Sequence, residues 1–368
     1  MKIGVPKETK NGEYRVGLTP YSVSQLVAAG HEVFIEHNAS IQIGYTDEDY
    51  VYAGATVLPT AAEVFQACDM VVKIKEPSLI EAAQFKEGQI IFCYLHLAPN
   101  PALTRILLER KVIGVAFETV TSKNGNPLLC PMSVVAGRMA TQVGARLLET
   151  VNGGNGVLIS GVPGAVDPAT VVIIGGGTVG QNAADIAVGM GALVTIFDNR
   201  TEQLDKLSMK YDHDVALFDM SDKNVFEREI INADIVIGAT HVAGALTDKL
   251  VSEEIVMKMK KGSVIVDVSI DQGGCFETSR VTSHAEPTFI KHGVVHYCVP
   301  NMPGNVPYTS THAINKFLLP YVLDIANNGL YNDSDIMNGI HVFHGHITNQ
   351  YIADTIPGSV CVDLLEVF

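Results

Sequence analysis

The chain has 368 residues, a formal net charge of −15 and an apolar fraction of 47 %. This length exceeds what one hydrophobic core of ordinary size accommodates, so it predicts two domains. The negative charge and the lack of a dense lysine or arginine cluster disfavour a nucleic-acid partner, and no apolar run reaches the roughly 18 to 20 residues that cross a bilayer.

The six cysteines are widely separated, and the N-terminus lacks the apolar stretch of a signal peptide. Scattered cysteines without a CxxC pair are typical of reduced thiols, with a disulfide framework or a zinc site as the alternative. We therefore expect a cytoplasmic protein.

The first third of the chain alternates short β-branched runs with helical stretches, which is typical of a parallel sheet covered by helices. Strands are predicted at residues 2–5, 32–36, 70–73, 89–94 and 112–117, and helices at 20–29 and 101–110. This segment has no glycine-rich phosphate loop, yet its pattern allows a doubly wound domain.

The middle third contains a complete βαβ unit, "ATVVIIGGGTVGQNAADIAVGMGALVTIFDNR". Gly175, Gly177 and Gly180 stand there in GxGxxG spacing, between a β-branched run and a helical segment. The first glycine permits a tight turn, the second lets backbone approach a pyrophosphate, and the third lets helix and strand pack closely. A dinucleotide site is favoured over glycines that serve packing alone.

Asp198 ends the second strand of this unit, 18 residues after Gly180. A carboxylate there accepts hydrogen bonds from the adenosine ribose and repels a 2′-phosphate, which favours NAD over NADP. Arg200 leaves the alternative open, because a nearby arginine can accommodate that phosphate.

Further strands are predicted in "ADIVIGAT", "GSVIVDVSID" and "GVVHYCV". The predicted fold is α/β, with two doubly wound Rossmann-type domains and an active-site cleft between them. Residues 1–130 and 305–368 form the predicted substrate domain, and residues 131–304 the predicted NAD-binding domain.

Two basic positions near predicted strand ends are candidate substrate ligands. Arg15 follows the first strand, where a guanidinium can clamp a carboxylate, although a solvated loop arginine paired with Glu13 is an equal alternative. In "MVVKIKEP", either Lys73 or Lys75 can be the ligand, and periodicity does not choose between them.

A histidine and an aspartate are the candidate proton-transfer groups. His96 ends an apolar run in "QIIFCYLHLAPN", where a buried imidazole is either a satisfied structural group or a chemical one. In "VDVSIDQGGC", Asp271 precedes two glycines, while Asp267 lies within the strand, and the pattern leaves the choice between them open.

The segment "HVFHGH" offers His341, His344 and His346 as possible metal ligands. No carboxylate or cysteine completes the set, and the local pattern is typical of a loop. We therefore predict no metal site.

Eight motifs in this order make the chain similar to the bacterial alanine dehydrogenase family, from residue 1 to about residue 330. They are "GVPKETKNGEYRVGLTP", "VVKIKEP", "YLHLA", "PMSVVAGRMATQVGA", "GVPGAV", "VIIGGGTVGQNAA", "VIVDVSIDQGGCFETSR" and "NMPGNVP". The resemblance implies reversible, NAD-dependent oxidative deamination of L-alanine to pyruvate and ammonium, and a homohexamer.

The resemblance also implies roles for individual residues. Arg15 and Lys75 hold the substrate, while His96 is the general acid/base and Asp271 the second catalytic residue. Besides the three glycines, the implied cofactor contacts are Ser133, Val179, Asp198, Ile270, Arg280, Asn301 and Met302.

The chain departs from the family pattern at a few cofactor-side positions. Gln203 and Tyr308 stand where basic residues are common, and "VAGALTDK" lacks the lysine of a "P-G-A-K-A-P" loop. Alternative functions are a lysine-forming saccharopine dehydrogenase, the nucleotide-binding component of a proton-pumping transhydrogenase, and a regulator without catalysis. Retention of His96 and Asp271 favours an amino-acid dehydrogenase.

Overall fold

The structure is a computed structural model that describes residues 1–123, 125–240 and 246–367. The chain divides into two compact units. Unit 1 comprises Met1–Met132 and Val306–Phe368, and unit 2 comprises Ser133–Asn305. Each unit is built on one mostly parallel sheet with helices between its strands. The predicted class, a pair of doubly wound α/β domains, is confirmed.

The first segment of unit 1 alternates strands and helices. Its strands are β1 (Lys2–Val5), β2 (Glu32–Glu36), β3 (Thr56–Leu58), β4 (Met70–Val72), β5 (Ile90–Cys93) and β6 (Ile113–Ala116). Its helices are α1 (Pro20–Ala28), α2 (Asp47–Tyr52), α3 (Ala61–Ala67), α4 (Leu79–Ala82) and α5 (Pro101–Glu109), with 3₁₀ turns at Ile41–Ile43 and Phe117–Thr119. Capping boxes led by Thr46, Thr60 and Ser78 fix where α2, α3 and α4 begin.

The parallel strands of unit 1 follow the order β3-β2-β1-β4-β5-β6. This is the 3-2-1-4-5-6 order of a doubly wound sheet, in which the carboxyl ends of the strands share one edge. Every residue of β4, β5 and β6 is buried, because helices cover both faces of such a sheet. The loops that follow β1, β4, β5 and β6 therefore leave the sheet at the same edge.

Unit 2 contains the glycine-rich motif. Its strands are β7 (Thr170–Ile174), β8 (Leu193–Asp198), β9 (Val215–Asp219), β10 (Ile235–Gly238), β11 (Val264–Asp267), β12 (Thr288–Lys291) and β13 (Val294–Tyr297). Its helices are α6 (Cys130–Leu147, which begins before the unit boundary), α7 (Thr178–Gly189), α8 (Thr201–Tyr211), α9 (Lys223–Asn232) and α10 (Glu253–Lys258). Turns of 3₁₀ helix lie at Thr150–Asn152, Val268–Gln272 and Met302–Asn305.

The sheet of unit 2 has the order β12-β13-β11-β10-β7-β8-β9. Without the antiparallel edge strand β12, this is again the doubly wound 3-2-1-4-5-6 order. The strand order reverses between β7 and β10, so the loop after β7 lies at the switch point where such folds bind ligands.

The C-terminal segment returns to unit 1 with α11 (Pro307–Asn328), α12 (Ser334–Gly339), β14 (Ile340–Phe343), β15 (His346–Ile347) and α13 (Gln350–Thr355). The loop-like interpretation of "HVFHGH" was wrong. The segment is a hairpin in which β14 pairs antiparallel with β6 and β15. Positive φ angles of 46° at His344 and 92° at Gly345 form its tight turn. β14 is buried throughout, but the histidines in this segment give it a polar sequence pattern that does not predict a buried strand.

Candidate active site

Three of the predicted site residues follow strands of the unit 1 sheet at its carboxyl edge. Arg15 lies in the loop after β1, Lys75 after β4 and His96 after β5. The doubly wound order places the ends of these strands next to one another, although the residues are far apart in sequence. Side chains at this edge are therefore well placed to act on one ligand.

Arg15 is almost fully buried, with 2 % of its side chain exposed. Its Nε and Nη2 atoms both donate to the Glu13 carboxylate at 2.6 Å, and Nη1 contacts the Met132 sulfur at 3.2 Å. Burial alone would lower the pKa of Arg15, but the hydrogen bonds and charge of Glu13 outweigh it and raise that pKa. The pairing with Glu13 is thus present but not solvated, and it holds the guanidinium in a fixed orientation.

Lys73 is buried between two carboxylates. Its Nζ lies 2.9 Å from Glu81 Oε1 and 3.4 Å from Glu8 Oε2. Burial opposes its charge, yet the attraction to Glu8 and Glu81 raises the pKa of Lys73 above its usual value. Glu8 also accepts from the Ile74 N–H at 2.7 Å, which fixes the backbone before Lys75. Lys73 is therefore committed to this pairing, and Lys75, two residues further along, is half-buried.

His96 lies outside β5, in the loop that follows it, and its side chain is 41 % exposed. The buried imidazole that the apolar run suggests is therefore not found. The backbone has a φ of 43°, a left-handed conformation that is unusual for a residue with a Cβ. Its ring stacks on Tyr94, with centroids 5.9 Å apart and planes 9° from parallel.

Glu118 and Glu13 are two site residues that sequence reasoning did not assign. Glu118 follows β6 and accepts from the backbone N–H of His96 at 2.8 Å. The signal available in the sequence was its place at the end of the predicted strand 112–117, one strand along from His96. For Glu13 the sequence predicts only a solvated pair with Arg15, whereas the pair in the structure is buried.

The glycine-rich loop of unit 2 joins β7 to α7. Gly175 has a φ of 101°, and a Cβ there would lie 2.7 Å from the Ala239 carbonyl oxygen. A Cβ on Gly180 would overlap the Gly175 carbonyl oxygen. At Gly177, which caps the N-terminus of α7, a Cβ would meet no atom of the described residues within 4 Å. This open approach to a helix N-terminus suits a pyrophosphate.

Asp198 ends β8 beside that loop and is buried. Its carboxylate accepts from the Gly176 N–H at 2.8 Å and from Arg200 Nε and Nη2 at 2.9 and 2.8 Å. Burial by itself would raise the pKa of Asp198, but the hydrogen bonds from Arg200 and Gly176 outweigh it and lower that pKa. Gln203 donates to the Gly176 carbonyl oxygen at 2.7 Å, so it contacts the same loop.

Asp267, the last residue of β11, and Asp271, in the 3₁₀ turn that follows, have different environments. Asp267 is buried and accepts from Ser279 Oγ at 2.6 Å and from the Cys275 N–H at 3.1 Å. Burial is the main cause that raises its pKa. Asp271 is exposed on the following 3₁₀ turn and accepts from the Asn301 N–H at 3.4 Å. Asp267 is therefore held by buried hydrogen bonds within unit 2, whereas Asp271 is exposed to solvent.

The other predicted cofactor residues lie in unit 2. Ser133 is in the first turn of α6, Val179 in the first turn of α7, and Ile270 beside Asp271. The Arg280 guanidinium lies 4.2 Å from the ring centroid of Phe289, while Asn301 has a φ of 54° and Met302 is buried.

Two of the departures noted in the sequence can be placed. Tyr308 is exposed in the first turn of α11, with its ring 4.5 Å from that of His312. In "VAGALTDK", residues 242–245 lie outside the described residues, whereas Lys249 donates to the Gly273 and Gly274 carbonyl oxygens at 2.6 and 2.8 Å. Lys249 thus holds the turn that follows Asp271.

Across the described ranges, no three histidine, cysteine, aspartate or glutamate side chains are grouped so as to hold a metal ion. Within the same ranges, no helix has the length and apolar character needed to cross a membrane.

Comparisons with known proteins cover almost the whole chain. Residues 4–136 match the model of the alanine dehydrogenase/PNT N-terminal domain, and residues 140–350 that of the C-terminal domain. Alanine dehydrogenases of Methanococcus maripaludis and Staphylococcus epidermidis are 50 % and 49 % identical, each over 96 % of both chains.

Solved structures agree with this match. A structure of an L-alanine dehydrogenase superposes with a TM-score of 0.93 and 48 % identity, over 96 % of this chain and 99 % of that one. A transhydrogenase from Sinorhizobium meliloti, 21 % identical, has a TM-score of 0.83 over 95 % of this chain and 99 % of its own, and it shows the fold alone. This chain belongs to the alanine dehydrogenase/PNT family.

Proposed function

We propose that this protein is an NAD-dependent dehydrogenase that reversibly converts L-alanine to pyruvate and ammonium. The observation that carries the proposal is the carboxyl edge of the unit 1 sheet, where Arg15, Lys75 and the half-exposed His96 follow neighbouring strands. Identity of about 50 % to alanine dehydrogenases over nearly the full chain supports the same substrate. Unit 1 is assigned as the substrate domain and unit 2 as the NAD-binding domain.

The residues of unit 2 fit a nicotinamide dinucleotide. Gly177 leaves the N-terminus of α7 open to a pyrophosphate, and Asp198 stands at the end of β8, where the adenosine ribose binds in such folds. The proposed contacts further include Ser133, Val179, Ile270, Arg280, Asn301 and Met302. NAD supplies a hydride acceptor when it is bound. Asp198 favours NAD over NADP because its charge repels a 2′-phosphate.

The substrate is held by the two basic residues of unit 1. The Arg15 guanidinium, fixed by Glu13, binds the alanine carboxylate, and Lys75 binds the carboxylate and the developing carbonyl oxygen. Their positive charges offset the negative charge of the substrate and favour the polarised carbonyl group. Since both side chains begin at the same sheet edge as His96, the reacting carbon is presented to the imidazole.

Proton transfer is assigned to His96 and Asp271. Loss of a hydride from Cα leaves an imine on the substrate, and water must attack that imine to release ammonium. An imidazole titrates near neutral pH, so His96 can take a proton from the attacking water and return it in the reverse direction. The exposed Asp271 carboxylate positions the water or stabilises the cationic imine.

The direct test is NADH oxidation by the purified protein with pyruvate and ammonium. We expect rapid oxidation by the wild type and a loss of about 10²- to 10⁴-fold in kcat for His96→Ala, with NADH still bound. His213→Ala is the matched control, because His213 is 98 % exposed in unit 2. Failure of the wild type to oxidise NADH that it demonstrably binds would exclude alanine dehydrogenation and direct attention to the transhydrogenase and regulator alternatives.

The proposal extends to assembly and location. We propose a homohexamer in the cytoplasm. The six cysteines, all within the described ranges, are free thiols, which supports a reducing compartment. Light scattering of the purified protein measures the assembly, and a mass other than that of six chains would contradict the hexamer.

A further inference from the structure

The Glu118 carboxylate binds the backbone on which His96 is carried. Its Oε1 accepts from the His96 N–H at 2.8 Å, and its Oε2 accepts from the Leu95 N–H at 3.2 Å. One carboxylate therefore satisfies two successive main-chain donors at the point where the chain leaves β5. A left-handed residue with a Cβ persists only where surrounding contacts determine it, and this pair of hydrogen bonds supplies such contacts at His96.

Sheet register explains why Glu118 can reach this position. β5 and β6 are parallel neighbours, with Cys93 opposite Ala116. Glu118 lies two residues beyond Ala116, as Leu95 lies two beyond Cys93, so both loops begin at the same level of the sheet. Asn126 donates to the Glu118 carbonyl oxygen at 3.2 Å, which fixes the loop that carries the carboxylate.

The same carboxylate also faces the imidazole. Glu118 Oε1 lies 3.8 Å from His96 Nδ1, close enough to favour the protonated ring. Other titratable groups act on His96 as well: the Glu76 carboxylate after β4, the buried His341 on β14, and the stacked Tyr94 ring. Glu118 also binds the backbone of His96, so it links the position of the ring to its charge.

We propose that Glu118 is a positioning residue that holds His96 in its left-handed conformation and stabilises its protonated imidazole. This inference rests on the proposed function, in which His96 transfers protons. A negative charge beside Nδ1 keeps the imidazole protonated to higher pH, and so increases the fraction of enzyme that can donate a proton when pyruvate is aminated. Glu118 does not touch the substrate in this assignment.

Glu118→Gln and Glu118→Asp together test the two parts of the role. In Glu118→Gln the charge is gone and the amide oxygen can accept from only one of the two main-chain N–H groups, because the NH2 group does not accept. We expect the limb of the kcat/KM profile that reports His96 to move to lower pH by about 0.5 to 1 unit, a shift limited by solvent at this half-exposed ring. Glu118→Ala also removes the acceptor, so its kcat should fall below that of Glu118→Gln.

Glu109→Gln is the matched control. It removes the same charge from an exposed position at the end of α5, and its profile should coincide with that of the wild type. Glu118→Asp keeps the charge on a shorter side chain and should retain most of the wild-type titration. A role in which only the length of the side chain matters predicts the opposite order, with Glu118→Gln closer to the wild type than Glu118→Asp.

A second readout does not depend on activity. Deuterium exchange at C2 of the His96 ring, followed by mass spectrometry across pH, gives the pKa of that residue directly. A lower value in Glu118→Gln than in the wild type supports the inference even if the wild type proves inactive on pyruvate and ammonium, an outcome that would reject only the proposed function. If the wild type is active and His96 titrates identically in Glu118→Gln, the role of Glu118 is overturned.

Discussion

Arg200 donates through Nε and Nη2 to the two oxygens of Asp198, at 2.9 and 2.8 Å. In the sequence, Asp198 favours NAD, and Arg200 leaves NADP as the alternative. In the structure these two residues form one ion pair beside the glycine-rich loop. The Gly176 N–H donates to the same carboxylate at 2.8 Å. We therefore expect cofactor choice to depend on this pair, since removal of the negative partner would leave Arg200 to attract a phosphate.

We expect Asp198→Asn to weaken NADH binding by roughly 10- to 150-fold, since a hydrogen bond to a charged group contributes about 1.5 to 3 kcal/mol. NADPH binding should weaken less or improve, because the repulsion of the 2′-phosphate is lost. Fluorescence titration with both cofactors measures the ratio. Asp205→Asn, an exposed change on α8, serves as the control. An unchanged preference for NADH would show that Asp198 does not select the cofactor.

Two glycines of the loop should respond differently to alanine. Gly180→Ala places a Cβ against the Gly175 carbonyl oxygen and should destabilise the protein by about 1 to 3 kcal/mol. Gly177→Ala meets open space, so the fold should be retained, while NADH affinity falls roughly tenfold because the Cβ occupies the approach of the pyrophosphate. Urea unfolding and NADH titration of both variants test this. Equal NADH affinity in Gly177→Ala and wild type would argue against a pyrophosphate at this loop.

The two lysines after β4 should separate stability from activity. Lys73→Met leaves Glu8 and Glu81 buried without their cation, and we expect a loss of about 3 to 5 kcal/mol in the free energy of unfolding. Lys75→Met should change stability little and raise KM for pyruvate or lower kcat, as expected for a substrate ligand. Urea unfolding and steady-state kinetics on both variants provide the measurement. If Lys75→Met retains full activity, Lys75 is not that ligand.

His296 predicts how stability varies with pH. It is buried, contacts Thr278 Oγ at 2.8 Å, and burial lowers its pKa to about 4. Its pKa in the unfolded chain is about 6.5, so the unfolded state takes up a proton first as the pH falls. The resulting stabilisation is present above about pH 6.5 and is lost progressively between there and pH 4, by roughly 2 to 3 kcal/mol.

Urea unfolding at pH 7 and pH 5 measures this loss. In His296→Gln the fall between the two pH values should be smaller than in the wild type by most of that amount. His213→Gln, which changes a fully exposed histidine, should behave as the wild type does. An identical fall in His296→Gln would show that other groups dominate the pH dependence.

The sequence by itself determined the local elements and the class of fold. The strands predicted at residues 2–5 and 32–36 have those bounds in the structure, because β-branched runs and turn residues act over a few neighbours. The βαβ unit around Gly175 was also predicted, since GxGxxG spacing between a β-branched run and a helical segment is a local signal. Short or polar elements such as β3 and β14 lacked that local signal, so they were missed.

Tertiary structure alone decided which polar residues are paired internally. Lys73 and Lys75, like Asp267 and Asp271, have similar local sequence, yet Lys73 and Asp267 are buried among partners that other strands and turns supply. The Glu118 contact with His96 likewise exists only because β5 and β6 are neighbours in the sheet. Burial and pairing depend on strand order and register, which bring together residues that are far apart in the chain. Periodicity along the sequence does not predict that order.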